Sequence, residues 1–295
     1  MEQFFTRFPR APSLDMSKDT AMHPTHTVTY AHDQDLPGLE SCYVHQSEHA
    51  FPDHFHDSTF VVGAMVHGRC YTLGLGREEG EVVPGDLAMI NPGQVHSGVP
   101  VPGQHRSYNI VTLSMELMEH LVHELGEDTP VRPEFTRVIQ HDPKGSELFR
   151  HLSYLVLSGK GSRLHKESVA LAAMARVLDQ NKARVGSGLS ERSSAEIQRA
   201  REFLSQDLAA KISLKEAAEV AGLSSYHFLR KFKAGFGLSP HQFRTQQRVE
   251  RARSLLKAGL PIARVAQDMG FTDQAHFTHA FRKFTGVTPK RFVAA

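Results

Sequence analysis

Only two cysteines, Cys42 and Cys70, occur in 295 residues. So few thiols exclude a disulfide-stapled scaffold and fit a protein whose cysteines stay reduced. No run of 18 apolar residues is present, so no helix is expected to span a bilayer and no membrane partner is expected. The opening residues, MEQFFTRFPRAPSLDMSK, lack the continuous apolar core of a secretion signal. Together these absences make a cytoplasmic location the expectation. What remains, 40% hydrophobic and 22% charged residues, is the composition of a globular chain long enough for two domains.

The net charge of +2 conceals a division. Residues 190–295 carry 18 Lys+Arg against 9 Asp+Glu, a net of +9, which leaves residues 1–189 with 16 basic and 23 acidic residues, a net of −7. A basic half joined to an acidic one points to a polyanion-binding unit attached to a unit with another task. The sign changes in NKARVGSGLSERSS, residues 181–194, where Gly186, Ser187 and Gly188 and the lack of apolar periodicity predict a bendable linker.

The basic half repeats itself. HFLRKFKAGFGLSP begins at His227 and HFTHAFRKFTGVTP at His276, 49 residues later. His227/His276, Phe228/Phe277, Phe232/Phe281, Gly237/Gly286, Pro240/Pro289 and Phe243/Phe292 all match at that offset. Each copy is preceded by a shorter helical segment and a glycine turn. In the first, Ser213 and Glu216 form a capping box, Gly222 ends the helix, and Ser224 or Ser225 caps the next. In the second, Pro261 suits a first helical turn, Gly270 makes the turn and Asp273 caps the following helix. Helix, short glycine turn, helix is the helix-turn-helix arrangement. Phe residues four apart anchor one face of each second helix and turn the polar residues outward. Between the copies, a helix from Pro240 to about Ala258 would be a rod of ~28 Å, near the ~34 Å between successive major-groove sites on one face of DNA. Its Arg244, Arg248, Arg251 and Arg253 are expected to face phosphate or solvent.

The segments GLSSYHFLRKFKAGFGLSPHQF and IARVAQDMGFTDQAHFTHAFRKFTGVTPKRF resemble the AraC/XylS family of transcription regulators. The resemblance implies base-facing positions at Tyr226, Leu229 and Arg230 in the first reader helix, and at Gln274, Ala275, His276, Thr278 and His279 in the second. Leu229 and Ala275 depart from the polar residues often found there. His227 and His276 adjoin core Phe residues, so a purely structural role stays open for them.

In the acidic half, LESCYVHQ, TFVVGAMVHG, CYTLGLG, GEVVPGDLAMI and SYNIVTLS read as short strands of a sandwich or barrel. PGDLAMINPGQVHSG and the HFH of residues 54–56 look like cupin half-motifs, and AraC relatives carry such a barrel as an effector sensor. The expected fold is therefore α+β and multidomain: a cupin-like barrel with helices, then an all-α double helix-turn-helix domain. The expected divisions are an arm (1–27), a sensing and dimerisation domain (28–182), a linker (183–192) and a DNA-binding domain (193–295).

Fifteen of the 19 histidines lie before the linker. His54, His56 and His96 supply three imidazoles, but no Glu follows His56 at the cupin interval, and Asp57 should point away from His56 by strand alternation. Three uses stay open for them: polar lining of a metal-free pocket (the reading adopted), a metal sensor, since three imidazoles could hold zinc, or a structural role only. Tyr108 is a further candidate lining residue. No cofactor and no metal are assigned. After the strands, Leu113, Leu117, Leu121 and Leu125, then Leu148, Leu152 and Leu155, then Leu171, Met174 and Leu178 mark amphipathic helices. The resemblance gives at least one of their faces to a homodimer. It also implies operator DNA, a small-molecule effector and RNA polymerase as partners. The competing class is a cupin oxygenase or metal sensor fused to a DNA-binding domain.

Overall fold

The computed structural model of the chain describes residues 27–73, 79–125, 133–180 and 195–294. The arm expected over 1–27 lies outside them except for Thr27, and the linker at 183–192 lies outside them entirely.

Among the described residues ten strands form two antiparallel sheets. β1 (Thr27–His32), β2 (Leu39–Ser47), β9 (Arg106–Ser114), β4 (Thr59–His67), β7 (Asp86–Ile90) and β10 (Ile139–His141) make the larger sheet, in that spatial order. β3 (Phe51–His54), β8 (His96–Pro100), β5 (Cys70–Leu73) and β6 (Glu79–Val82) make the smaller one. β1, β3, β8 and β10 escaped the sequence reading because polar residues, histidine or proline interrupt their apolar pattern.

Strand alternation explains how one sheet serves two cores. In β4, Phe60, Val62 and Ala64 pack against the helices, while Val61, Gly63 and Met65 line an interior cavity. Both faces are covered, so the strand reads as a nearly continuous apolar run. β9 alternates likewise. Val111 and Leu113 join the helical side, where Asn109 donates to Ser153 Oγ at 2.8 Å, whereas Arg106, Tyr108, Ile110 and Thr112 face the cavity.

The helices α1 (Met115–Glu124), α2 (Pro143–Ser158) and α3 (Arg163–Gln180) cover the outer face of the large sheet. The leucine series expected from Leu113 begins too early, since Leu113 is the buried end of β9 and Ser114 caps α1. Leu117, Leu121, Leu148, Leu152, Leu155 and Met174 are buried in the core against the sheet, and Leu171 and Leu178 pack partly buried against it.

Among the described residues seven helices follow: α4 (Ala195–Gln206), α5 (Leu214–Val220), α6 (Ser225–Phe236), α7 (Pro240–Lys257), α8 (Ile262–Asp268), α9 (Gln274–Thr285) and α10 (Pro289–Val293). The caps sit where the sequence indicated: the Ser213/Glu216 box on α5, Ser224 on α6, Asp273 on α9. Pro261 caps α8 from just outside it. Gly270, between α8 and α9, has φ +68°, and a Cβ there would meet Ala209 O at 2.6 Å, so only glycine fits. The repeat becomes two like cores: Phe228, Phe232 and Phe243 in the first, Phe277, Phe281 and Phe292 in the second.

α7 departs from expectation. Arg244 is buried, with its guanidinium donating to Leu204 O, Asp207 O and Ala210 O at 2.6–2.8 Å. Arg248 donates to Leu208 O at 2.7 Å, and Arg253 pairs with Glu250 at 3.0 Å. Only Arg251 of the four is exposed. The orphan carbonyls after α4 need donors, and the two arginines supply them.

Candidate functional site

Strand and helical halves meet across the mouth of the barrel. Phe55 stacks on Phe243 with centroids 5.3 Å apart, and Gln246 Nε2 donates to Phe55 O. Tyr30 donates to Thr285 O at 2.8 Å, and Asp57 accepts from Arg201 at 3.4 Å and Gln247 at 2.6 Å. Asp57 thus turns away from the cavity that His56 lines, though both residues follow the end of β3 and strand alternation is not the cause.

Behind this junction lies a cavity of about 170 Å³, close to the ~150 Å³ that accommodates benzene in an engineered core. His54, His56, His96 and Tyr108 all line it. The apolar walls are Val44, Phe51, Val61, Met65, Ile90 and Ile110, and the helical half closes it with Glu250, Arg253, Phe284 and Thr285.

Two neighbouring side chains in the cavity are incompletely satisfied. Arg106 is 1% exposed and its Nη2 donates to His49 O at 2.6 Å and Gly98 O at 3.0 Å. Its Nε and the Tyr108 hydroxyl find no hydrogen-bond partner among the described residues, and no carboxylate there pairs with Arg106. The guanidinium sits 5.2 Å from the Tyr108 ring centroid. A buried guanidinium without a counter-ion is costly unless something anionic offsets it. Arg106 was missed in the sequence, although it stands two residues before Tyr108 on the same strand face.

The histidines cluster. His54 and His96 face each other across β3 and β8, and the three rings have centroids 4.1, 5.4 and 5.3 Å apart. His54 Nδ1 lies 2.7 Å from Pro52 O and His96 Nδ1 lies 3.1 Å from Gln94 O. A carbonyl only accepts, so both Nδ1 atoms carry the proton. Burial lowers the pKa of His54; it takes His56 down to about 4, and burial together with the other two rings takes His96 well below its usual range. At neutral pH the cluster is therefore uncharged.

Glu250 and Glu40 mark the charged rim. Burial opposes the Glu250 charge, but Arg253 and His56 outweigh it and hold its pKa down. At Glu40 burial is likewise overcome, by His32, Arg253 and Lys257. These rim residues come from β2 and α7, far apart in sequence, and carried no local signal.

The second surface is the outer face of α6 and α9. Tyr226, Arg230, Gln274, Ala275, His276 and His279 are exposed, and Leu229 and Thr278 half-exposed. Arg230 lies over the Tyr226 ring at 5.8 Å. His227 and His276 are exposed rather than core, with Nδ1 atoms 3.0 Å from Ser224 Oγ and 3.2 Å from Thr272 Oγ1 respectively. Among the described residues no helix is long and apolar enough to cross a membrane.

Comparison with known proteins matches these two halves separately. A family model described as an AraC-like ligand binding domain matches residues 36–175, and one described as a helix-turn-helix domain matches residues 217–295. An uncharacterized HTH-type transcriptional regulator, YbfI of Bacillus subtilis, is 29% identical over 77% of this chain and 81% of its own. The arabinose operon regulatory protein of Escherichia coli is 28% identical over 52% of each chain, so the match spans about half of that relative. The solved structure of unsaturated fatty acid bound ToxT from Vibrio cholerae superposes with a TM-score of 0.54 at 11% identity, covering 92% of this chain and 97% of its own. At that identity the likeness establishes the shared two-domain fold.

Proposed function

The chain belongs to the AraC family of transcription regulators, with an N-terminal ligand-binding domain and a C-terminal helix-turn-helix domain, and from that premise we propose that a small organic acid bound in the cavity controls how it engages DNA. The observation that carries this is that one cavity is lined by both halves. An occupant against Arg106 and Tyr108 on one side and Glu250, Arg253 and Thr285 on the other touches sensor and reader together. It shifts the balance between arrangements only if it binds them unequally.

The chemical class follows from Arg106. An apolar chamber with one buried, uncompensated guanidinium suits an amphipathic monocarboxylate, which would be held bidentately. The fold neighbours carry ligands of this class, an unsaturated fatty acid in one ToxT structure and a naphthyl butenoic acid in another.

On this reading residues 28–182 sense, 183–192 connect and 193–295 read. α6 presents Tyr226, Leu229 and Arg230 to one major groove, and α9 presents Gln274, Ala275, His276, Thr278 and His279 to the next. The reading includes a homodimer on paired half-sites, an encounter with RNA polymerase and a cytoplasmic place of action. It contains no catalytic step.

Full-length protein titrated with straight-chain and aromatic monocarboxylates and their primary amides tests it. Acids should raise the melting temperature and change affinity for operator DNA, and amides should do neither. Arg106→Leu should lose the acid response and Arg106→Lys retain part of it. Amides as effective as acids would remove the role of Arg106. Acids that stabilise without changing DNA affinity would remove the regulatory role of the cavity.

A further inference from the structure

We propose that His54, His56 and His96 form a binding site for a divalent metal ion of the zinc class, with Glu250 of the reader helix α7 as its carboxylate partner. The site shares the cavity of the acid reading but rests on the three histidines, whereas that reading rests on Arg106.

The first observation is convergence. One nitrogen from each of the three imidazoles lies within 4.8 Å of the others. Three nitrogens on a tetrahedral zinc ion at 2.0–2.1 Å are about 3.3 Å apart, so small side-chain rotations close the set. The end of β3 makes it: His54 closes the strand and lines the cavity with His56 just beyond it, while Phe55 between them stacks on Phe243. His96 enters from the paired strand β8.

The second observation is orientation. His54 and His96 each donate Nδ1–H to a carbonyl two residues earlier in the chain. That bond fixes the tautomer and leaves the Nε2 lone pair as the free donor atom. Metal-binding histidines use this same outer hydrogen bond to a backbone carbonyl or carboxylate.

The third observation is the carboxylate. The sequence counted the site one acid short because no Glu follows His56 and Asp57 is engaged by Arg201 and Gln247. The fold supplies Glu250 instead, its Oε1 3.8 Å from His56 Nδ1, reaching in from the other domain. Arg253 holds that carboxylate in place at 3.0 Å. Three imidazole ligands without sulfur suit zinc and its neighbours among the transition metals, and Glu250 stands beside them as the carboxylate that orients His56. Because the acid belongs to α7, occupancy links the barrel directly to the helix that joins the two reader units.

The test is metal stoichiometry on the full-length chain. Protein stripped with a chelator and dialysed is titrated with Zn²⁺ alone, and with Co²⁺ as a spectroscopic probe. One tight equivalent is expected, with the strong visible absorption of tetrahedral Co²⁺. His54→Gln and His96→Gln should each lose that equivalent, which separates the site from weak binding at exposed imidazoles. Glu250→Gln, at a half-buried helix position, should keep the equivalent but weaken it about 10–100-fold, the effect typical of partners beyond the ligands themselves. Wild-type protein without a tight equivalent overturns the site, and so does an equivalent that survives loss of His54 or His96. Unchanged affinity in Glu250→Gln overturns the link to α7. None of these readouts involves an organic acid, so the metal site and the acid reading stand or fall separately.

Discussion

Lys257 of α7 donates to Glu40 of β2 at 2.6 Å, and this contact closes a charged rim between the sensing and reading halves. Arg253 lies 3.6 Å from the other Glu40 oxygen, so one carboxylate meets two cations of the reader. Their side chains are 19–28% exposed, which places the group between a surface pair and a buried one. Surface pairs contribute about 0–1 kcal/mol and broken buried ones cost about 3–5.

Glu40→Ala is therefore expected to destabilise the full chain by about 1–3 kcal/mol. It should also separate the unfolding of the two halves, followed by urea titration with two spectroscopic probes. Coincident transitions with an unchanged midpoint would show that the rim does not hold the junction.

Arg244 and Arg251 stand seven residues apart on one helix, the first buried and the second exposed. Arg244→Met should cost at least about 3 kcal/mol, because three carbonyls lose a charged donor. Arg251→Ala should leave stability nearly unchanged and reduce the log–log salt slope of DNA binding by about 0.9. Equal melting temperatures for the two variants would refute this division.

Arg230 is exposed beside Tyr226 and free to reach a base edge. Arg230→Ala is expected to cost about 1–3 kcal/mol of discrimination, read as a larger loss on operator than on random duplex. Equal losses on both would make Arg230 a phosphate contact.

Acid should weaken the chelator-stripped chain through the histidine cluster. In the unfolded chain these imidazoles take up protons near pH 6.5, whereas in the fold His56 does so only near pH 4. Between those values the unfolded state binds more protons, so stability falls as pH falls through that window. Glu250, Glu40 and Asp53 favour protonation here and Arg253 opposes it, yet burial is the largest influence on all three rings. Melting curves from pH 7.5 to 4.5 should shift down, and less so in His56→Gln. An identical shift in that variant would assign the effect to other groups.

The helical half was largely legible in the sequence because its signals are local. A serine or aspartate cap acts three residues away and a glycine turn acts on its own φ. A Phe spaced by four defines a face within one helix, so the two repeats announced their helices, turns and outward rows. The barrel was legible where a strand buries both faces, as in β4, and illegible where short strands such as β3 and β8 depend on partners distant in sequence.

By itself, the sequence determined the two-part organisation, the outward polar rows of the two repeated helices and three histidines within the strand-rich half, since each follows from spacing or composition. Only the tertiary structure decided what those parts share. Arg244 and Arg248 became internal donors because the end of α4 happens to lie beneath α7. Arg106 came to lie without a carboxylate partner among the described residues because its strand face turns into the cavity. Glu250 came to stand 3.8 Å from His56 although 194 residues separate them. Such juxtapositions arise from packing one domain on another, and no local periodicity encodes them.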